Sequence, residues 1–135
     1  MVEASENIPT SFKVHERLCI VIGNANYQAA REKVEGSELI DLQPALTDAE
    51  VFNEGIQRYG FDAVTTLKNI DVEFKRMGEL LRGAKTKMDR NFEEGKNTLL
   101  VVYYAGHGMM KNTVYALTTD GKLFPLESML RNYAS

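Results

Sequence analysis

The sequence predicts an α/β fold built on a parallel sheet whose strands are joined by helical crossovers. Two observations lead to this prediction. Residues 18–22 and 98–104 are short apolar runs rich in β-branched residues, which is typical of strands buried on both faces. Amphipathic helical patterns separate these two strands and a third predicted strand between them. The resulting order is β-α-β-α-β, whose crossovers are expected to be right-handed.

Composition and charge narrow the class of protein. With 135 residues, 44% hydrophobic and 26% charged, the chain is expected to form one soluble domain with a real core. A net charge of -3 without a basic stripe argues against nucleic acid as a partner. No apolar run is long enough to cross a bilayer and no secretory signal is visible, so we expect a cytoplasmic protein without membrane contact.

The first half of the chain contains one predicted strand and one predicted helix. Residues 1–16 lack apolar periodicity and are expected to form a flexible lead-in to a domain spanning 17–135. A strand ending at Gly23 is followed by a long predicted loop over 23–44. The capping-box sequence Thr47-Asp48-Ala49-Glu50 predicts a helix start at Thr47, and Gly60 its end.

The second half repeats this alternation of strands and helices. A second strand is predicted over 61–67, followed by a long amphipathic helix that Asn69 or Asp71 would cap. Residues 98–104 are the strongest strand pattern and are expected at the centre of the sheet. The remaining predictions are a short strand over Thr113–Leu117, a turn at Asp120-Gly121 and a helix over 125–133.

One histidine stands where chemistry is expected in such a fold. His107 follows the third predicted strand directly, and active sites in parallel α/β sheets gather beyond the carboxyl ends of the strands. Glycines on both sides let the backbone approach a substrate, and an imidazole can act as a general acid or base near neutral pH. The residues alone leave open a second interpretation, in which Gly-His-Gly is only a tight turn at the end of a strand and has no catalytic role.

Three motifs resemble the caspase superfamily of cysteine peptidases. Residues 101–108, VVYYAGHG, resemble its histidine motif, above all in the paracaspase and metacaspase branches. Residues 17–27, RLCIVIGNANY, are similar to the first strand and loop of paracaspase-like domains, and residues 46–52, LTDAEVF, to the start of their first helix. The resemblance implies the N-terminal, p20-like part of a caspase-like sandwich with helices on both faces of the sheet.

The same resemblance implies roles for individual residues. His107 matches the catalytic histidine, and the Gly108 amide matches a donor of the oxyanion hole. Asp48 matches the acidic residue of the S1 pocket in paracaspases and metacaspases, although it could equally be a first-turn acid that stabilises its helix. Caspases that cleave after aspartate carry an arginine shortly before this helix, whereas residues 39–43 contain no cation, so we expect cleavage after Arg or Lys.

The nucleophile that this family requires is missing. The family places it in a later strand ending in Asp-x-Cys, and no cysteine follows His107. We therefore expect a domain that is incomplete at its C-terminal side and inactive by itself. The single cysteine, Cys19, lies mid-strand and is expected to be buried and inert.

These expectations leave two functions open. One is a parent protein that is a caspase-like thiol endopeptidase, with His107 and a cysteine absent from this chain as its dyad. Its partners would be peptide or protein substrates and a complementary small subunit. The other is a pseudo-peptidase that binds a caspase-like partner through its open sheet edge. No cofactor or metal is expected, because the chain lacks phosphate-binding glycine motifs, a Cys/His zinc cluster and a clustered acidic loop for calcium. A third possibility is an unrelated flavodoxin-like ligand-binding module, which would share the order of strands and helices along the chain but not the three motifs.

Overall fold

The structure is a computed structural model that describes residues 13–33 and 38–133, and its architecture is the mixed α/β fold that the sequence predicts. The strands are β1 Glu16–Gly23, β2 Ala63–Lys68, β3 Thr98–Ala105, β4 Gly108–Lys111, β5 Thr113–Leu117 and β6 Leu123–Phe124. The helices are α1 Gln28–Lys33, α2 Gln43–Ile56, α3 Phe74–Glu93 and α4 Leu126–Tyr133, with 3-10 turns at Gln57–Tyr59 and Asn69–Asp71.

The main sheet is parallel and has the strand order β2-β1-β3. Leu18 of β1 pairs with Ala63 on one side and with Leu100 on the other. The prediction that the third strand would be central is therefore wrong, since β1 is central and β3 lies at an edge within the described ranges. Apolar residues on both faces of a strand indicate that other layers pack above and below it. They do not indicate how many strands flank it.

Helices cover both faces of this sheet, as the fold class predicts. Ile20 and Ile22 of β1 belong to a core cluster completed by Met77 of α3 and by side chains of α4. Cys19 points to the opposite face, as strand alternation requires, and joins a second cluster with α2. The fold therefore has three layers, with α3 and α4 on one side and α2 on the other.

The predicted loop over 23–44 contains the short helix α1, while residues 34–37 lie outside the described part of the chain. Helix α1 buries only Ala30, so it has no apolar stripe that a sequence pattern could reveal. Tyr27, directly before it, is completely buried and anchors its start. Contacts with the rest of the domain, and not helical propensity, stabilise a helix this short.

Helix α2 begins four residues before the predicted start at Thr47. Pro44 occupies its first turn, where proline's fixed backbone angle suits a helix start and its missing N–H costs nothing. The predicted capping box does not form, because Thr47 already lies inside the helix and Glu50 instead lies 3.5 Å from the Lys68 amine. The α-helix ends at Ile56, before the predicted end at Gly60, and a 3-10 turn continues it to Tyr59. Gly60 ends that turn with the left-handed backbone that was predicted, at a φ of 68°.

Helix α3 starts at Phe74, and neither Asn69 nor Asp71 caps it, contrary to prediction. The cap comes from a distant residue, Asp120, whose Oδ1 accepts a hydrogen bond from the Phe74 N–H at 3.1 Å. Asn69 has another partner, because its Oδ1 accepts a bond from the Ala25 N–H at 2.9 Å. The long amphipathic helix itself is confirmed.

A small antiparallel sheet of order β4-β5-β6 follows the main sheet. The predicted strand Thr113–Leu117 is confirmed as β5, and the predicted turn and C-terminal helix are also present. Strand β4 was not predicted, because its four residues are all exposed and carry no alternating pattern. Of the predicted lead-in, residues 1–12 lie outside the described part. None of the helices described is long and apolar enough to span a membrane.

Candidate active site

The candidate site lies at the carboxyl ends of β1 and β3. Gly23 at the end of β1 pairs with Ala105 at the end of β3, so both strands end at the same level. Helix α2 crosses directly over this end, and a Cβ atom at Gly23 would lie 2.6 Å from the Ala49 Cβ atom. His107 leaves β3 at this edge, as predicted, and is half-buried.

The imidazole of His107 has a fixed hydrogen-bond partner. Its Nε2 atom lies 2.9 Å from the carbonyl oxygen of Ile40. A carbonyl can only accept, so Nε2 carries the hydrogen and the Nδ1 atom of the neutral ring is left as the acceptor. The Tyr27 ring and the imidazole pack in a T-shaped arrangement with centroids 4.4 Å apart. The ring is therefore oriented with one nitrogen available to take a proton.

The segment that supplies the Ile40 carbonyl is anchored by an ion pair. Arg31 Nη1 lies 2.8 Å from Asp41 Oδ1 and donates to the Leu39 carbonyl at 3.2 Å. Asp41 also accepts a hydrogen bond from the Tyr27 N–H at 3.0 Å. The bond from Arg31 is the main reason that the pKa of Asp41 lies below its usual value. Sequence reasoning missed Arg31 because it lies ten residues before its partner.

Two tyrosine hydroxyls contact the backbone of His107. The Tyr27 hydroxyl accepts from the His107 N–H at 2.5 Å, and the Tyr104 hydroxyl donates to the His107 carbonyl at 2.6 Å. Burial raises the pKa of both tyrosines, so both hydroxyls stay protonated at physiological pH. Gly106 makes room for these contacts, because a Cβ atom there would lie 2.6 Å from the Tyr104 hydroxyl oxygen. Sequence patterns assigned neither tyrosine to the site.

Asp48 lines an open pocket of about 350 Å³ beside the strand that carries His107. The pocket lies between the start of α2 and the end of β3, and Asp48 itself is exposed. Asp48 is the single charged residue among the described residues that line it. These lining residues are Leu42, Pro44, Ala45, Asp48, Tyr103, Tyr104, Ala105 and Gly106. The structure thus brings Asp48 to the same end of the sheet as His107, although 58 residues separate them in sequence.

Gly108 begins β4 immediately after His107 and is exposed. Cys19, in contrast, is 1% exposed within the core, and burial raises the pKa of its thiol. It lies four residues before the end of β1, which places it about 13 Å below the edge from which His107 emerges. Cys19 is therefore a core residue. Within the described ranges, no three His, Cys, Asp or Glu side chains are grouped in an arrangement that could hold a metal ion.

Comparison with known proteins identifies the family. The family model described as the caspase domain matches residues 16–134, which include the ends of β1 and β3, helix α2 and the turn that carries His107, here called the histidine turn. No curated protein and no solved structure matches the chain significantly. Because the family model covers nearly the whole chain, the chain belongs to the caspase domain family of cysteine peptidases, which act on protein substrates.

Proposed function

We propose that this domain supplies the histidine and the S1 pocket of a cysteine endopeptidase that cleaves after Arg or Lys, as in the paracaspase and metacaspase branches. In this proposal residues 17–135 form a caspase-like (p20) unit, His107 is the catalytic base and acid, and Gly108 N–H stabilises the oxyanion. The nucleophilic thiol comes from outside this sequence, because its one cysteine is buried in the core.

The observation that carries the proposal is the pocket shared by Asp48 and the end of β3. Tyr103 gives this pocket an aromatic wall, and its ring stacks on Phe52 with centroids 4.1 Å apart. An arginine or lysine side chain has an apolar stem and a cationic end. Its stem would pack on the tyrosines, and its charge would pair with the carboxylate of Asp48.

Arg31, a cation that binds the segment preceding α2, does not change that preference. Arg31 is already paired with Asp41 and bonded to the Leu39 carbonyl, so its charge is neutralised. An acidic P1 side chain entering the pocket would therefore meet the negative charge of Asp48. Like charges brought together in a partly desolvated pocket are unfavourable, so the pocket disfavours aspartate at P1.

The imidazole suits the chemistry of a thiol peptidase. The Ile40 carbonyl holds the Nε2–H, so Nδ1 is the atom that would take a proton from an approaching thiol. The resulting thiolate attacks the scissile carbonyl carbon, and the negative charge moves onto the carbonyl oxygen. The imidazolium then returns its proton to the leaving amine as the thioester forms. Water hydrolyses the thioester in the second half of the reaction, with His107 again accepting a proton.

Substitution of Asp48 tests this function through the P1 preference. With the protein purified from its source cells, we expect cleavage of peptides with Arg or Lys at P1 and much slower cleavage of peptides with Asp there. Asp48→Asn keeps the shape but removes the charge, and should lower kcat/KM for the Arg peptide by about 10- to 100-fold. Steady-state kinetics on the three peptides gives this comparison.

Glu54→Gln is the matched control for this prediction. Glu54 lies on the same helix, is exposed and does not line the pocket. The control variant loses the same charge and should retain the wild-type P1 profile. Equal loss of activity in both variants, or a wild-type preference for Asp at P1, would contradict the assignment of Asp48 to S1.

A binding role is the second candidate function, and the outer edge of β3 favours it. Strand β3 is eight residues long, mostly apolar and half-buried, and it pairs only with β1 in the described part of the chain. An edge of this kind is a template on which another strand can pair. In this alternative the domain binds a caspase-like partner by strand addition and cleaves nothing itself.

The mass of the native polypeptide separates the two candidates. The 135 residues have a mass of 15.2 kDa. A larger native product that contains an Asp-x-Cys strand favours the peptidase. A product of 15.2 kDa that forms a defined complex with a caspase-family protein favours the binding role. A strictly monomeric 15.2 kDa product that forms no such complex contradicts the binding role.

A further inference from the structure

The hydroxyls of Tyr27 and Tyr104, here called the tyrosine clamp, hold both polar backbone groups of His107. Tyr27 accepts from the His107 N–H, and Tyr104 donates to the His107 carbonyl. The two hydroxyl oxygens are 3.3 Å apart. The hydrogen count is consistent, because the Tyr27 O–H can donate to the Tyr104 oxygen while the Tyr104 O–H donates to the His107 carbonyl at 2.6 Å, with the Leu117 carbonyl as a longer contact at 3.2 Å. One residue is thus fixed from both sides by side chains of separate segments.

The clamp also determines where the next amide points. The His107 carbonyl and the Gly108 N–H belong to one planar, trans peptide unit and point in opposite directions. Besides Tyr104, the Leu117 N–H donates to the same carbonyl at 3.0 Å. Two donors from the interior therefore fix the plane of this peptide unit, and with it the direction of the Gly108 N–H.

The register of the small sheet directs this N–H away from β5. His107 and Leu117 share a ladder hydrogen bond, and the following pair, Gly108 and Ala116, is therefore of the non-hydrogen-bonded type. In such a pair the N–H groups point out of the ladder. The Gly108 N–H is thus directed away from the interior of the small sheet, and Gly108 itself is exposed.

We propose that Tyr27 and Tyr104 are positioning residues of the active site, whose hydroxyls hold the two peptide units on either side of the His107 Cα atom so that the Gly108 N–H is aimed at the oxyanion. This inference rests on the proposed peptidase function and adds the part of the chain that preorganises it. A donor fixed in advance stabilises the transition state without reorganising during the reaction. A hydroxyl lost from the clamp leaves the ring packing and the Leu117 hydrogen bond intact but removes one of the bonds that fix the backbone around His107.

Kinetics of Tyr104→Phe and Tyr27→Phe test the positioning role in the native protein. We expect kcat on an Arg-P1 peptide to fall by about 10- to 100-fold while KM changes by less than about twofold, because the oxyanion forms only after substrate binding. The matched control is Tyr133→Phe, since the Tyr133 hydroxyl is buried without a hydrogen-bond partner in the described structure. The control should keep the wild-type kcat. Unchanged kcat in both clamp variants overturns the positioning role.

NMR of the 135-residue chain tests the clamp independently of activity. In Tyr27→Phe, hydrogen exchange of the His107 amide should accelerate by at least about tenfold, and in Tyr104→Phe the His107 carbonyl ¹³C signal should shift upfield. Tyr133→Phe should alter neither signal. Wild-type protein gives a check that needs no variant, a slowly exchanging hydroxyl proton on Tyr104. Absence of that proton signal, or unaltered His107 signals in the variants, overturns the clamp.

Failure of the wild-type protein to cleave any peptide would contradict the proposed function, while these signals would still decide whether the clamp exists.

Discussion

Gly106→Ala is expected both to destabilise the domain and to disrupt the hydrogen bonds of the turn that carries His107. The new methyl group would lie 2.6 Å from the Tyr104 hydroxyl oxygen and 2.9 Å from its ring carbon Cζ, and it would also meet the Tyr27 hydroxyl. Tyr27 is completely buried and cannot move aside without opening the core. Overpacking of this kind costs about 1–3 kcal/mol of unfolding free energy, and peptide cleavage should fall with the loss of the clamp.

Thermal unfolding followed by circular dichroism measures this effect. For a domain of this size, the expected cost lowers the midpoint by roughly 3–10 °C. Gly83→Ala is the control with the opposite expected sign, because nothing lies within 4 Å of a Cβ atom there and the residue is in the middle of α3. Alanine should stabilise that helix by up to about 1 kcal/mol. A Gly106→Ala midpoint equal to that of wild type would contradict the close approach of the two hydroxyls.

His107→Ala is expected to abolish peptide cleavage almost completely. The substitution removes the imidazole at the end of β3, which we propose accepts the thiol proton and donates to the leaving amine. We expect kcat/KM to fall by about 10³-fold in the protein purified from its source cells. Because the side chain is only half-buried, the fold should persist, which circular dichroism can verify.

The second histidine provides the control for this experiment. His15 is exposed at the start of the domain, where its Nδ1 atom accepts a hydrogen bond from the Asn97 N–H at 3.0 Å. His15→Ala should leave cleavage unchanged. Native protein whose cleavage survives His107→Ala would contradict the catalytic role. Native protein that cleaves nothing before substitution would favour the binding role at the β3 edge.

Most of the main sheet could be predicted because strand and helix periodicities are local properties of the sequence. The buried run in β1, the amphipathic α3 and the left-handed Gly60 were found in this way. The position of β3 in the sheet was not, because burial on both faces carries no information about neighbouring strands. The cap of α3 was also missed, since Asp120 lies 46 residues from the amide it binds.

The candidate site was predictable in its residues but not in its contacts. His107 and Asp48 were found through motifs, and the structure adds that they lie at the same end of the sheet. The Ile40 carbonyl could not be found, because any residue can supply a carbonyl and the fold alone decides which one reaches the imidazole. The role of Tyr27 could not be found either, because it contacts His107 across 80 residues of sequence.

Binding of short peptides to the 135-residue chain tests most directly whether Asp48 and the end of β3 form a pocket for basic side chains. NMR titration compares two otherwise identical peptides that end in Arg or in Asp, and it requires no thiol. We expect the Arg peptide to shift the amide signals of Asp48, Tyr103 and Gly106, the Asp peptide to leave them unchanged, and Asp48→Asn to remove the difference. Equal shifts with both peptides, or shifts that avoid these residues, would contradict it.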